Sequence, residues 1–152
     1  MSDNDLYQEM ILDHYKNPRN CCTLEHCSHR ADGQNPICGD ELSVEVEIDN
    51  DRIKNIAFTG MGCAISQASA SMMTEQLKGK TIKEAMDIYG KVHEMLTGKH
   101  PEDVDPHDDV SIGKLRVLEG VAEFPARVKC ASLAWHTLKN ALNSSDGVSG
   151  TE

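Results

Sequence analysis

The sequence predicts an α+β fold: a small antiparallel three-stranded sheet with about five to six helices packed on one side. Three observations lead there. Leu42, Val44, Val46 and Ile48 alternate with Ser43, Glu45, Glu47 and Asp49, the period-2 pattern of a strand with one wet face. Asn50-Asp51 supplies a turn, and Ile53 to Thr59 reads as the returning strand. After this hairpin the chain turns to helical spacing.

Taken in order, Leu6, Met10, Ile11 and Tyr15 recur at helical spacing between Asp5 and Lys16, with Tyr7 and His14 beside them, and Asn17-Pro18 then disfavours continuation. Arg19 to Gln34 is polar and without periodicity, a long loop with room for one short edge strand near Ser28 to Asp32. In the returning strand the apolar phase slips between Ile53 and Ile56, the signature of a bulge. Ala64 to Leu77, rich in Ala, Ser and Met, holds no helix breaker, and Thr81-Ile82-Lys83-Glu84 resembles a capping box that opens a second helix through about Leu96. His100 to Asp109 carries five acidic residues and two prolines and reads as a solvated loop. Val110 to Glu119 resumes helical spacing. A last helix over Arg127 to Leu142 has a core stripe of Ala131, Ala134, Trp135, Leu138 and Leu142. The Ser- and Gly-rich tail, 143–152, is expected to be disordered.

The 152 residues suit one domain, able to bury roughly 70% of the surface of its unfolded chain. A net charge of −10, from 25 acidic and 15 basic residues, argues against nucleic acid, whose binding needs clustered Lys and Arg. No run of 18 apolar residues occurs and the first ten residues carry no apolar stretch, so neither a membrane helix nor a signal peptide is expected and the reading is cytoplasmic. In that reducing compartment the six cysteines are thiols or metal ligands rather than disulfides.

The hairpin brings two of the cysteines together. Cys38, in Asn35-Pro36-Ile37-Cys38-Gly39-Asp40, lies just before the first full strand, and Cys63, in Gly60-Met61-Gly62-Cys63, just after the second; antiparallel pairing brings those ends together. Cys63 falls at the start of the Ala/Ser-rich helix, where the positive end of the helix dipole favours an anionic sulfur. Cys130 sits in the first turn of the last helix, flanked by Arg127 and Lys129. Asp40, two residues after Cys38, offers an oxygen and completes an S₃O set suited to zinc or to iron bound to sulfur. A carboxylate exchanges more readily than a fourth thiolate, which suits a site built to open. The alternative is that each cysteine is a small half-buried residue. Cys21, Cys22 and Cys27 lie in the unpatterned loop; Cys22 with His26, or Cys27 with His29, could bind metal, but solvated loop residues describe them equally well.

Leu12-Asp13-His14-Tyr15-Lys16-Asn17-Pro18-Arg19-Asn20, the Asn35 to Asp40 motif, Gly60-Met61-Gly62-Cys63-Ala64-Ile65-Ser66 with Ala68-Ser69, and Phe124-Pro125-Ala126-Arg127-Val128-Lys129-Cys130 together resemble the U-type iron–sulfur cluster assembly proteins, the family of IscU and the NifU N-terminal domain, over about Leu6 to Leu142. Three features resemble its SufU-type branch. Lys129 stands where IscU-like chains place a histidine, with Arg127 further back; the Leu-Pro-Pro-Val-Lys chaperone motif is absent; and the segment between Cys63 and Cys130 is longer, including Gly98 to Gly120. Met61 and the Cys21, Cys22, Cys27 group depart from the family pattern.

The resemblance implies a SufE/IscU-like fold and a single domain over 1–152 with a core at about 5–142. It implies that Cys38, Asp40, Cys63 and Cys130 bind Zn²⁺, that the partner is a SufS-type pyridoxal-phosphate cysteine desulfurase, and that Cys38 accepts persulfide sulfur, with Arg127 assisting, for delivery to a downstream SUF scaffold or apo-acceptor. The alternative it allows is a scaffold holding a transient [2Fe–2S] cluster on Cys38, Cys63 and Cys130. Neither a nucleic acid nor a membrane is implied as partner.

Overall fold

The structure, a computed structural model, describes residues 3–35, 39–96, 115, 118, 121, 125–143 and 148–150. Helix α1 (Asp3–Lys16) leads through a loop into strands β1 (His29–Asn35), β2 (Asp40–Asp49) and β3 (Arg52–Met61). Helices α2 (Ala64–Leu77), α3 (Ile82–Leu96) and α4 (Pro125–Asn143) follow, then a three-residue strand β4 (Val148–Gly150). The sheet order is β3-β2-β1-β4, with β1–β2 and β2–β3 antiparallel and β4 parallel to β1.

The α+β class and the three antiparallel strands agree with the sequence reading. Among the described residues the helices number four rather than five to six. Of the expected Val110 to Glu119 helix only Leu115 and Leu118 are described, both buried, as is Val121 beyond it; His100 to Asp109 lies outside the described residues. Residues 148–150, expected to be disordered, instead pair with Asp32 to Gln34.

The hairpin forms for local reasons. Asn50 (φ 52°) and Asp51 (φ 61°) both take left-handed backbone, the two-residue turn whose twist matches that of the flanking strands. The slip in β3 is a bulge: Glu47 pairs with Asn55 and Ile48 with Ile53, which leaves Lys54 without an opposite residue in the β2 register. Ile53 and Ile56 thereby both reach the core beside Leu42, Val44 and Val46. The capping box of α3 is formed, with Glu84 N donating to Thr81 Oγ1 (3.0 Å) and Thr81 N donating to Glu84 Oε1 (3.1 Å).

β1 is longer than expected and reaches Asn35, because pairing with β2 rather than intrinsic preference makes it a strand. In α1 the inward face holds Ile11 and His14, whereas Tyr15, expected in the stripe, is 43% exposed. His14 Nδ1 lies 2.8 Å from Ser71 Oγ, which also accepts from Arg19 N (2.8 Å), so a buried polar contact pins α1 and its following loop to α2. Helices α2 and α4 cover the sheet and are themselves joined at one hydroxyl. Ser69 Oγ donates to Ala131 O (2.6 Å) and accepts from Trp135 Nε1 (3.1 Å). That buried link sets the register between the helix that follows Cys63 and the helix that contains Cys130.

Candidate metal centre

The end of the β2–β3 hairpin builds the site. Glu41 pairs with Met61, so Asp40 lies level with Gly62, and its Oδ1 accepts from the backbone N–H of Cys63 at 2.8 Å. Two glycines make that approach possible. At Gly60 (φ 138°) a Cβ would run into the Glu41 carbonyl oxygen; at Gly62 it would stand 2.5 Å from both Asp40 Oδ1 and Ser66 Oγ. The Asp40 carboxylate thus occupies space that any other residue at position 62 would fill.

Cys63 is the N-cap of α2 but makes no side-chain cap hydrogen bond, so its sulfur is not used in holding the helix. Cys130 comes from α4, which starts at Pro125, two residues earlier than expected, and so places it in the second turn rather than the first. It is fully buried, and its Sγ donates to Ala126 O at 3.8 Å.

Ligand atoms of Asp40, Cys63 and Cys130 all lie within 4.8 Å of one another, in the one metal-competent group of three or more His, Cys, Asp or Glu among the described residues. Tetrahedral zinc with bonds of about 2.0–2.3 Å needs ligand atoms about 3.3–3.8 Å apart. Small side-chain rotations would close the remaining gap. Asp40 is 1% exposed, and its Oδ2 is buried with no hydrogen-bond partner. A buried carboxylate oxygen left unpaired is costly on its own and is an acceptor that a cation would satisfy. The donor set therefore fits a thiophilic divalent metal.

Three of the four expected ligands are brought together. The fourth, Cys38, lies outside the described residues. Arg127 is exposed in the first turn of α4, three residues before Cys130, and no hydrogen bond or ion pair joins it to the three ligands among the described residues. Cys21, Cys22 and Cys27 are exposed; Cys27 Sγ donates to His29 O (3.0 Å), and His29 Nδ1 is engaged with Ser28 Oγ (2.9 Å). Met61, beside the site, is 67% exposed.

One residue escaped the sequence reading. Asn35 pairs with Asp40 across β1 and β2, is 1% exposed, and directs Nδ2 to Cys130 Sγ at 3.8 Å. Its place on the period-2 face of Ala31 and Gly33 could have revealed it, had the strand been extended that far.

Comparison with known proteins bears on the family of the chain. The family model described as the NifU-like N terminal domain matches residues 6–131. The zinc-dependent sulfurtransferase SufU of Bacillus subtilis is 41% identical over 142 residues, 93% of this chain and 92% of that protein. The iron–sulfur cluster assembly scaffold protein IscU of Streptococcus pyogenes is 40% identical over 93% of this chain and 86% of its own. Among solved structures, a putative iron–sulfur cluster assembly scaffold protein for the SUF system from Fervidobacterium islandicum superposes with a TM-score of 0.81 at 35% identity, covering 93% of this chain and 99% of that one. No described helix is long and apolar enough to cross a membrane. With the family model spanning most of the sequence and close relatives aligned almost end to end, the chain belongs to the NifU-like N-terminal domain family of IscU- and SufU-type iron–sulfur cluster assembly proteins.

Proposed function

We propose that this protein is a zinc-dependent sulfurtransferase of iron–sulfur cluster assembly, working in the cytoplasm and accepting persulfide sulfur from a SufS-type cysteine desulfurase. The observation that supports it most is the unpaired, buried Oδ2 of Asp40, whose carboxylate offers an oxygen within 4.8 Å of the Cys63 and Cys130 sulfurs. Cys38, two residues from Asp40 in the chain, supplies the fourth ligand. Zinc held by these residues would keep the ligating sulfurs deprotonated and quench their reactivity.

The residues then divide the work. Cys63 and Cys130, one on the hairpin exit and one inside a packed helix, remain in place. Cys38 is the nucleophile: its thiolate attacks the outer sulfur of the desulfurase persulfide, a new S–S bond forms to Cys38, the old one breaks, and the desulfurase cysteine leaves as thiolate. Electrons balance without an external oxidant. Arg127, exposed on the same helix as Cys130, steers the anionic persulfide or balances the charge of the ligand set.

Desulfurase turnover tests the reading. Addition of wild-type protein should raise it at least about tenfold more than addition of Cys38→Ala, roughly 1.4 kcal/mol in barrier. Equal rates would remove Cys38 from the reaction. The second reading is a scaffold on which a [2Fe–2S] cluster is built on Cys38, Cys63 and Cys130 and passed to apo-proteins. It is favoured by the scaffold names of the S. pyogenes and F. islandicum proteins. Anaerobic reconstitution followed by cluster transfer to an apo-ferredoxin distinguishes it.

A further inference from the structure

A carboxamide on the buried face of β1 is out of place. Ala31, Gly33 and Asn35 share that inward face, and a polar side chain there is costly unless it is hydrogen-bonded. Asn35 does not meet that cost with ordinary partners: its Oδ1 has none, and its Nδ2 donates to the sulfur of Cys130. The orientation is coherent, because Cys130 Sγ already donates to Ala126 O and can only accept from the amide. Once the sulfur is anionic it accepts still more strongly, since hydrogen bonds to charged acceptors exceed neutral ones.

We propose that Asn35 is a positioning residue of the metal centre, whose N–H···S bond orients Cys130 and stabilises its thiolate, so that Cys130 stays bound while another ligand is exchanged. This rests on the reading of Asp40, Cys63 and Cys130 as metal ligands. Partners behind a metal's direct ligands fix their orientation and tune their basicity, and losing one typically weakens metal binding by about 10- to 100-fold.

Titration of the metal-free protein with Co²⁺, followed through the sulfur-to-cobalt charge-transfer band and by competition with a chelator, tests the proposal in wild type, Asn35→Leu and Asn35→Asp. Both variants should bind Co²⁺ about 10- to 100-fold more weakly. In Asn35→Leu the band should also move to longer wavelength, because a sulfur without its N–H donor gives up charge more easily; a merely structural role would not move it. Asn35→Asp, which sets an acceptor against an anionic sulfur, should be the weaker binder. A folded Asn35→Leu with unchanged affinity and an unmoved band overturns the proposal. Wild-type protein loaded with ¹¹³Cd gives a check that needs no variant: the Asn35 amide protons should show scalar coupling to the metal through the sulfur, and its absence in a metal-loaded protein refutes the bond. Wild type that takes up neither Co²⁺ nor Cd²⁺ instead overturns the metal reading itself, and this inference with it.

Discussion

Asp40→Asn should push the metal-free and metal-loaded proteins in opposite directions. In the metal-free chain Oδ2 is a buried acceptor without a partner, while Oδ1 takes the Cys63 N–H. Asparagine can keep the second contact and replaces the orphan acceptor with an N–H donor. Relief of one unsatisfied buried group is worth about 1–3 kcal/mol. At about 2–4 °C per kcal/mol for a chain of this size, the metal-free variant should melt about 2–12 °C above wild type. Zinc at about 100 times its Kd should stabilise wild type by about 2.7 kcal/mol. The variant lacks the anionic oxygen and should gain less than about half of that at the same free zinc. Thermal unfolding followed by circular dichroism, with chelator and in zinc buffer, reads both quantities. A metal-free variant no more stable than wild type, or a zinc increment equal to that of wild type, would refute the reasoning.

Other perturbations follow from the same contacts. Gly62→Ala sets a Cβ against Asp40 Oδ1 and Ser66 Oγ, and should weaken Co²⁺ binding by about tenfold or more, as loss of ligand orientation does, with a smaller effect on urea unfolding. Ser69→Ala leaves the Trp135 indole N–H without its acceptor, and should cost about 1–3 kcal/mol in urea unfolding while loosening the register of α2 on α4. His136 is half-buried between α3 and α4, with its Nδ1 3.0 Å from Tyr89 Oη, and burial first, then the facing His93 and Lys139, holds its pKa below the ordinary 6.5. The unfolded chain therefore takes up more protons as pH falls through that ordinary value, so stability drops on the acid side; His136→Asn should flatten that drop between pH 7 and 5 in pH-dependent denaturation.

Much of this site was legible because it hangs on a regular hairpin. The alternation from Leu42 to Ile48 fixes which face is buried, and antiparallel pairing then brings the start of one strand beside the end of the next; the sequence reading uses this to set Cys38 beside Cys63, and the structure shows the same end of the hairpin holding Asp40 against the Cys63 N–H. The Ile53–Ile56 slip and the Thr81–Glu84 box were equally local signals. β1 was not: His-Arg-Ala-Asp-Gly-Gln-Asn has little strand preference and becomes a strand through β2, so Asn35 was missed along with it. In α1, Tyr15 and His14 are neighbours on a helix whose apolar stripe is narrow, and the polar bond of His14 to Ser71, invisible in sequence, decides which of them turns inward. Cys130 was placed by its position in the last helix, but its burial comes from the packing of α4 on the sheet and on α2.

The most direct test of the account is intact-protein mass spectrometry with peptide mapping after incubation with a SufS-type desulfurase and free cysteine. The account predicts an added mass of about 32 Da per sulfur, reversible by reductant and confined to Cys38, consistent with thiolate attack on a persulfide. Accelerated desulfurase turnover with no sulfur on Cys38, or with sulfur found on Cys63 or Cys130 instead, would contradict it.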